Sequence, residues 1–128
     1  MGRKFEFVDR IIRDKDDEYK TCLKLPKRST AKSAGYDFYA VNDVTCKSHE
    51  ITMVPTGIKA KMEDDETLLL FNRSSNPKKK GLFYNMRDED VEIAAGEKIM
   101  QGIFVKYEKT EDDEAEGERS GGWGSTGK

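Results

Sequence analysis

The chain has 128 residues, 38% of them charged, and its 23 basic and 25 acidic side chains leave a formal net charge of −2. That length suits one domain with a core of its own. The near-balance of charge excludes the single-signed field of a general nucleic-acid or membrane binder. No apolar run of membrane-spanning length and no leader pattern occurs, so a soluble, intracellular protein is expected. Cys22 and Cys46 lack metal-ligand spacing and read as reduced thiols, and His49 reads as an exposed loop histidine.

In chain order the signals are those of short strands. Residues 4–8 alternate polar and apolar, the period-two pattern of a half-buried strand. Residues 9–20 are highly charged around Ile11 and Ile12 and read as a loop. Leu23-Lys24-Leu25 ends at Pro26, and residues 27–33 are polar and basic. Residues 36–41 form an aromatic-rich strand. Two further runs, 50–54 and 57–62, are separated by the turn chemistry of Pro55-Thr56-Gly57. Glu63-Asp64-Asp65-Glu66 reads as an acidic turn. Residues 67–71 form an apolar strand that delivers Asn72-Arg73-Ser74-Ser75 at its end.

Asn76-Pro77 breaks that strand, and Lys78-Lys79-Lys80 reads as a solvated basic turn. Leu82-Phe83-Tyr84 is a brief apolar run, and residues 87–90 are a charged loop. Val91-Glu92-Ile93 alternates, Ala95-Gly96-Glu97 turns, and residues 98–107 carry the last apolar strand. Many short strands with regular turns predict an all-β barrel or sandwich spanning 1–107. Residues 108–118 hold seven acidic side chains and almost no apolar ones, so they predict a tether.

Residues 119–128 combine an arginine, a tryptophan, two serines, a threonine and four glycines. Alone the stretch reads as a flexible tail. The glycines also allow close backbone approach, Arg119 offers a fork for phosphate, Ser125 and Thr126 offer hydroxyls, and Trp123 offers a stacking face. Gly122 to Lys128 formally fits a P-loop, but that motif must follow a strand and open a helix, and here nothing follows.

Four segments together carry a resemblance. Ala34-Gly35-Tyr36-Asp37-Phe38, then Arg73-Ser74-Ser75, then Ala95-Gly96-Glu97-Lys98-Ile99-Met100-Gln101, then Arg119 with Gly121-Gly122-Trp123-Gly124-Ser125-Thr126-Gly127 resemble, in order, the first, second, fourth and fifth motifs of trimeric dUTP pyrophosphatases (dUTPases), of the Gram-positive phage or prophage kind. The resemblance implies a jelly-roll-type β-barrel of the dUTPase (β-clip) kind with a flexible C-terminal arm. It implies a homotrimer with shared active sites in a bacterial, or phage-infected, cytoplasm. It implies hydrolysis of dUTP to dUMP and pyrophosphate, with Mg²⁺ held by the substrate phosphates and no direct protein ligand.

Carried over by position, Ser74 and Ser75 bond phosphate oxygens and Arg73 orders their loop. Gln101 contacts the α-phosphate side, and Asp37 orders waters at the catalytic centre. Arg119 meets the γ-phosphate, Ser125 and Thr126 cap the phosphates, and Trp123 stacks on uracil where phenylalanine is commoner. Gly121, Gly122 and Gly124 let the arm close. Ordering that arm costs on the order of 10 kcal/mol of backbone entropy, so charge-assisted phosphate contacts must add to the stack.

The family's third motif, which carries the general-base aspartate and the uracil-binding hairpin, has no match. Leu82 runs directly into Phe83, and Lys80-Gly81-Leu82 and Phe83-Tyr84-Asn85 resemble its two flanks. No catalytic base is therefore assigned, neither to Tyr84 nor to Asp88, Glu89 or Asp90. Two readings stand: a dUTPase, or a catalytically silent protein of the same fold acting as a binding or regulatory module. A dCTP deaminase shares the fold and an Arg-Ser-Ser element but normally lacks such an arm.

Overall fold

Alternating side chains resolve into eight strands in a computed structural model, which describes residues 2–8, 22–71 and 84–117. They are β1 (Lys4–Phe7), β2 (Lys27–Arg28), β3 (Tyr36–Tyr39), β4 (Val44–Cys46), β5 (Ile58–Lys61), β6 (Glu66–Phe71), β7 (Val91–Ile93) and β8 (Lys98–Lys106). The central sheet has the order β2-β3-β8-β6, flanked by the pairs β1-β5 and β4-β7, and every pairing is antiparallel. No described residue lies in a helix, and no helix among them is long and apolar enough to cross a membrane.

One face of the central sheet makes the core. Phe38, Ala40, Cys46, Val54, Ile93, Ile99 and Met100 are buried together, with Phe5, Ile58 and Leu68 packed against them. The Phe5 ring meets Tyr36, Phe38 and Phe104 at centroid distances of 5.3, 5.4 and 5.4 Å. Such aromatic pairs contribute beyond their area alone and fix the packing of β1 over the sheet. Gly102 lies in the middle of β8 because a Cβ there would come within 2.8 Å of the Phe38 ring and 3.1 Å of Leu68.

Several expectations change in detail. Glu66 is not part of an acidic surface turn: it opens β6, its side chain is only 4% exposed, and it pairs with Arg3 at 2.5 Å. A charge can be buried there because the N-terminal segment brings a guanidinium to it. Residues 50–54 do not form a strand; only Ile51 bridges, to Tyr84. Two unpredicted strands, β2 and β4, are held by their partners β3 and β7. Residues 108–117 are exposed and carry no strand. The loop expected over 9–20 lies outside the described residues.

Candidate active site

The register of the central sheet assembles the site. Asp37 on β3 pairs with Gln101 on β8, and Gln101 pairs in turn with Phe71, the last residue of β6. Lys27 on β2 pairs with Asp37 from the other side. Residues directly opposite one another project from the same face. One transverse row therefore brings together the first motif, the fourth motif, and the strand end from which Arg73-Ser74-Ser75 follows.

Asp37 is 2% exposed although it lies off the core face. Ser29 donates its hydroxyl to Asp37 Oδ2 at 2.5 Å, and Lys98 Nζ stands 3.5 Å from the same oxygen. Burial of an ionised carboxylate needs such partners. Lys98 gets there through a β-bulge: the β3–β8 register shifts between Phe38 and Tyr39, so that Tyr39 faces Lys98 and not Ile99. Ile99 and Met100 are then both buried, at 2% and 6%. An inserted residue re-aims the chain, as bulges beside functional sites commonly do. Without it an isoleucine would stand where the ammonium now does.

Gln101 is half-buried, and Gly35 lies against its side chain. A Cβ at residue 35 would overlap Gln101 Cγ, so the glycine of the first motif sets the position of the amide of the fourth. Of the residues expected in the site, Asp37 and Gln101 are brought together. Arg73, Ser74, Ser75, Arg119, Gly121, Gly122, Trp123, Gly124, Ser125 and Thr126 lie outside the described residues. Ser29 and Lys98 were not singled out from the sequence. Ser29 sits in a polar run without a motif of its own, and the approach of Lys98 depends on the bulge.

Next to Tyr84, Asn85 anchors the loop before β7. Its amide nitrogen donates to the carbonyls of Cys46 and Glu89, both at 2.9 Å, and its oxygen accepts from the Arg87 N–H at 3.0 Å. Asp88, near this loop, pairs with His49 at 2.9 Å and is fully exposed. Among the described residues no group of three or more His, Cys, Asp or Glu could hold a metal ion.

An all-β sheet that lines up a buried carboxylate, an amide and the end of β6, after which Arg73-Ser74-Ser75 follow in the sequence, suits a phosphorylated ligand. Residues 21–127 match the family model described as dUTPase. The chain is 41% identical over 133 residues to the Deoxyuridine 5'-triphosphate nucleotidohydrolase of Lactococcus lactis, covering 82% of this chain and 89% of that one. It is 31% identical over 128 residues to the enzyme of the same name from Helicobacter pylori strain P12, covering 80% and 88%. The solved dUTPase of Streptococcus mutans superposes with a TM-score of 0.69 at 32% identity, over 84% of this chain and 98% of that one. A dUTPase of phage phi11 of S. aureus, whose structure concerns coordination of a structural Mg(II) ion, shares the fold at a TM-score of 0.65 and 15% identity, over 94% of this chain and 100% of that one. The chain belongs to the dUTPase family, and its fold is the all-β, jelly-roll-type fold that its motifs implied.

Proposed function

We propose that the protein hydrolyses dUTP: water attacks the α-phosphorus, the bond to the β-phosphate's bridging oxygen breaks, and dUMP, pyrophosphate and a proton leave. The observation that carries this is the row Asp37–Gln101–Phe71, in a chain that matches the dUTPase family across 21–127. In that arrangement Gln101 donates its amide to an α-phosphate oxygen, and Asp37, held by Ser29 and Lys98, orders water beside it. Ser74 and Ser75 bond phosphate oxygens, with Arg73 ordering their loop. Arg119, Ser125 and Thr126 take the terminal phosphates, and Trp123 stacks on uracil. The glycines at 121, 122 and 124 let an arm of residues 119–128 approach, carried on the acidic tether 108–118.

Mg²⁺ belongs to this reading as a companion of the substrate. A hard dication takes oxygen ligands and commonly keeps waters beside one or two carboxylates plus substrate phosphates. Asp37 is the one carboxylate in the row, and it fits that role through water. When bound, the ion neutralises phosphate charge; Asp37 orients the water around it. A homotrimer with shared sites, acting in the cytoplasm, completes the proposal. Supporting it, β6 is the edge of the central sheet and leaves Leu69, Leu70 and Phe71 about half exposed, a surface that a second copy would cover.

The match to the Lactococcus enzyme runs over 133 residues yet takes in 82% of this 128-residue chain. The relative therefore carries positions that this chain does not fill, and we place them between Leu82 and Phe83, where the third motif belongs. A positioned base contributes ~10²–10⁴-fold, so inserting the relative's segment there is expected to raise turnover by that order. The family match, together with relatives named for the hydrolysis, favours the enzyme over a silent binding module. The proposal is tested by pyrophosphate release from dUTP with Mg²⁺; ammonia release from dCTP, with no pyrophosphate from dUTP, would support the deaminase.

A further inference from the structure

Beside Asp37 lies a cavity of about 410 Å³ whose wall includes Lys24, Lys27, Arg28, Ser29 and Lys98. Four cations thus face one carboxylate, in a chain whose net charge is −2. Gathering like charges around one hollow is unfavourable unless something of opposite sign shares it. The local partners do not balance them. Lys98 leans on Asp37, and Lys24 Nζ sits 5.2 Å from the centroid of the Tyr39 ring. Arg28 donates to the carbonyls of Ala31 and Ser33 at 2.6 and 3.3 Å, which holds its fork without neutralising it. Lys27 has no ion pair among the described residues and stands in register with Asp37.

We propose that this cavity is a pyrophosphate site, taking the diphosphate as it leaves the Asp37–Gln101 row. The inference rests on the hydrolysis proposed above, and it adds a destination for the leaving group. A multiply charged phosphate matches the excess of cations, and ammonium and guanidinium donors are the groups that bind it. Lys24 and Lys27 are not among the groups assigned to bond the α-phosphate or to order its water, so their loss acts on the product and not on the attack.

The test is calorimetric titration of the full-length protein with inorganic pyrophosphate, and separately with orthophosphate and dUMP. The unaltered protein is expected to bind pyrophosphate more tightly than orthophosphate, and less tightly as salt rises. Lys24→Ala/Lys27→Ala is expected to weaken pyrophosphate at least about ten-fold, as expected for charge-assisted contacts, and to leave dUMP unchanged. Lys24→Gln/Lys27→Gln serves as a second variant should the first fold poorly. Pyrophosphate affinity unchanged in both variants, or dUMP lost in step with it, would overturn the site. Lysine-dependent pyrophosphate binding without any dUTP hydrolysis would remove the hydrolase and leave the cavity; hydrolysis with lysine-independent pyrophosphate binding would do the reverse.

Discussion

Two carboxylates are buried on the central sheet, and they are held in opposite ways. Glu66 opens β6 and takes the Arg3 guanidinium at 2.5 Å, while its other oxygen accepts the Glu63 N–H at 3.0 Å. Asp37 lies in mid-β3, hydrogen-bonded to Ser29, with its ammonium at the longer distance of 3.5 Å. It also borders a cavity with surplus positive charge. The first carboxylate is consumed by its partner and fastens the N-terminal segment to the sheet. The second stands beside more cations than it can balance, and under the proposed hydrolysis it is the working group. On this reading a buried acid is a fastening where its cation is its own, and the proposed working group where the cations outnumber it.

The largest expected effect is on the working group. Asp37→Asn keeps the shape and removes the charge, and dUTP turnover is expected to fall about 100-fold, the scale of losing a positioned catalytic group. The melting temperature is expected to move little. Turnover assays beside thermal melts check this, and a variant that loses only stability would make Asp37 a second fastening.

The contrast was only partly legible in the sequence. β1 and β7 follow from period-two alternation, β3, β5, β6 and β8 from aromatic or apolar runs between turns, and Asp37 and Gln101 from their motifs. β4 was not, because Val44-Thr45-Cys46 is a strand only through its pairing with β7, 45 residues or more further on. The burial of Glu66 was hidden too, since an acid beside three others reads as surface until Arg3, 63 residues away, arrives to pair with it. Nor could alternation place Lys98 on the Asp37 face. Strict period two puts Ile99 there, and only the bulge exchanges them. Such a register shift is a property of the pair of strands.

Two glycines, one within β8 and one just before β3, sharpen the same comparison. Gly102 lies on the core face against Phe38, Leu68 and Leu70. Gly102→Ala is expected to destabilise the fold by about 1–3 kcal/mol through overpacking, read by denaturant melts, with activity per folded molecule kept. Gly35 lies against Gln101 on the site's side. Gly35→Ala is expected to displace that amide and reduce kcat/KM about ten-fold, since small misplacements near the reacting group are expensive; stability should fall less than for Gly102→Ala.

The smallest effect tests the fastening. The hydrogen bond from Arg3 holds the Glu66 carboxyl below its usual range. Its folded pKa is depressed, so its stabilising contribution is complete above the unfolded value of about 4.3 and is lost as pH falls through the lower folded value. Glu66→Gln is expected to melt a few degrees lower at neutral pH with turnover unchanged. The gap to the unaltered protein is expected to narrow as pH falls below that unfolded value and through the lower folded one. A gap that persists in acid would mean the pair contributes through packing and not charge.

The most direct measurement joins intact mass to chemistry: the purified protein is weighed and then assayed for pyrophosphate release from dUTP with Mg²⁺. Release of pyrophosphate and dUMP in equal amounts is the expected result. A chain of 14.6 kDa that binds the nucleotide and releases nothing would contradict hydrolysis by this molecule.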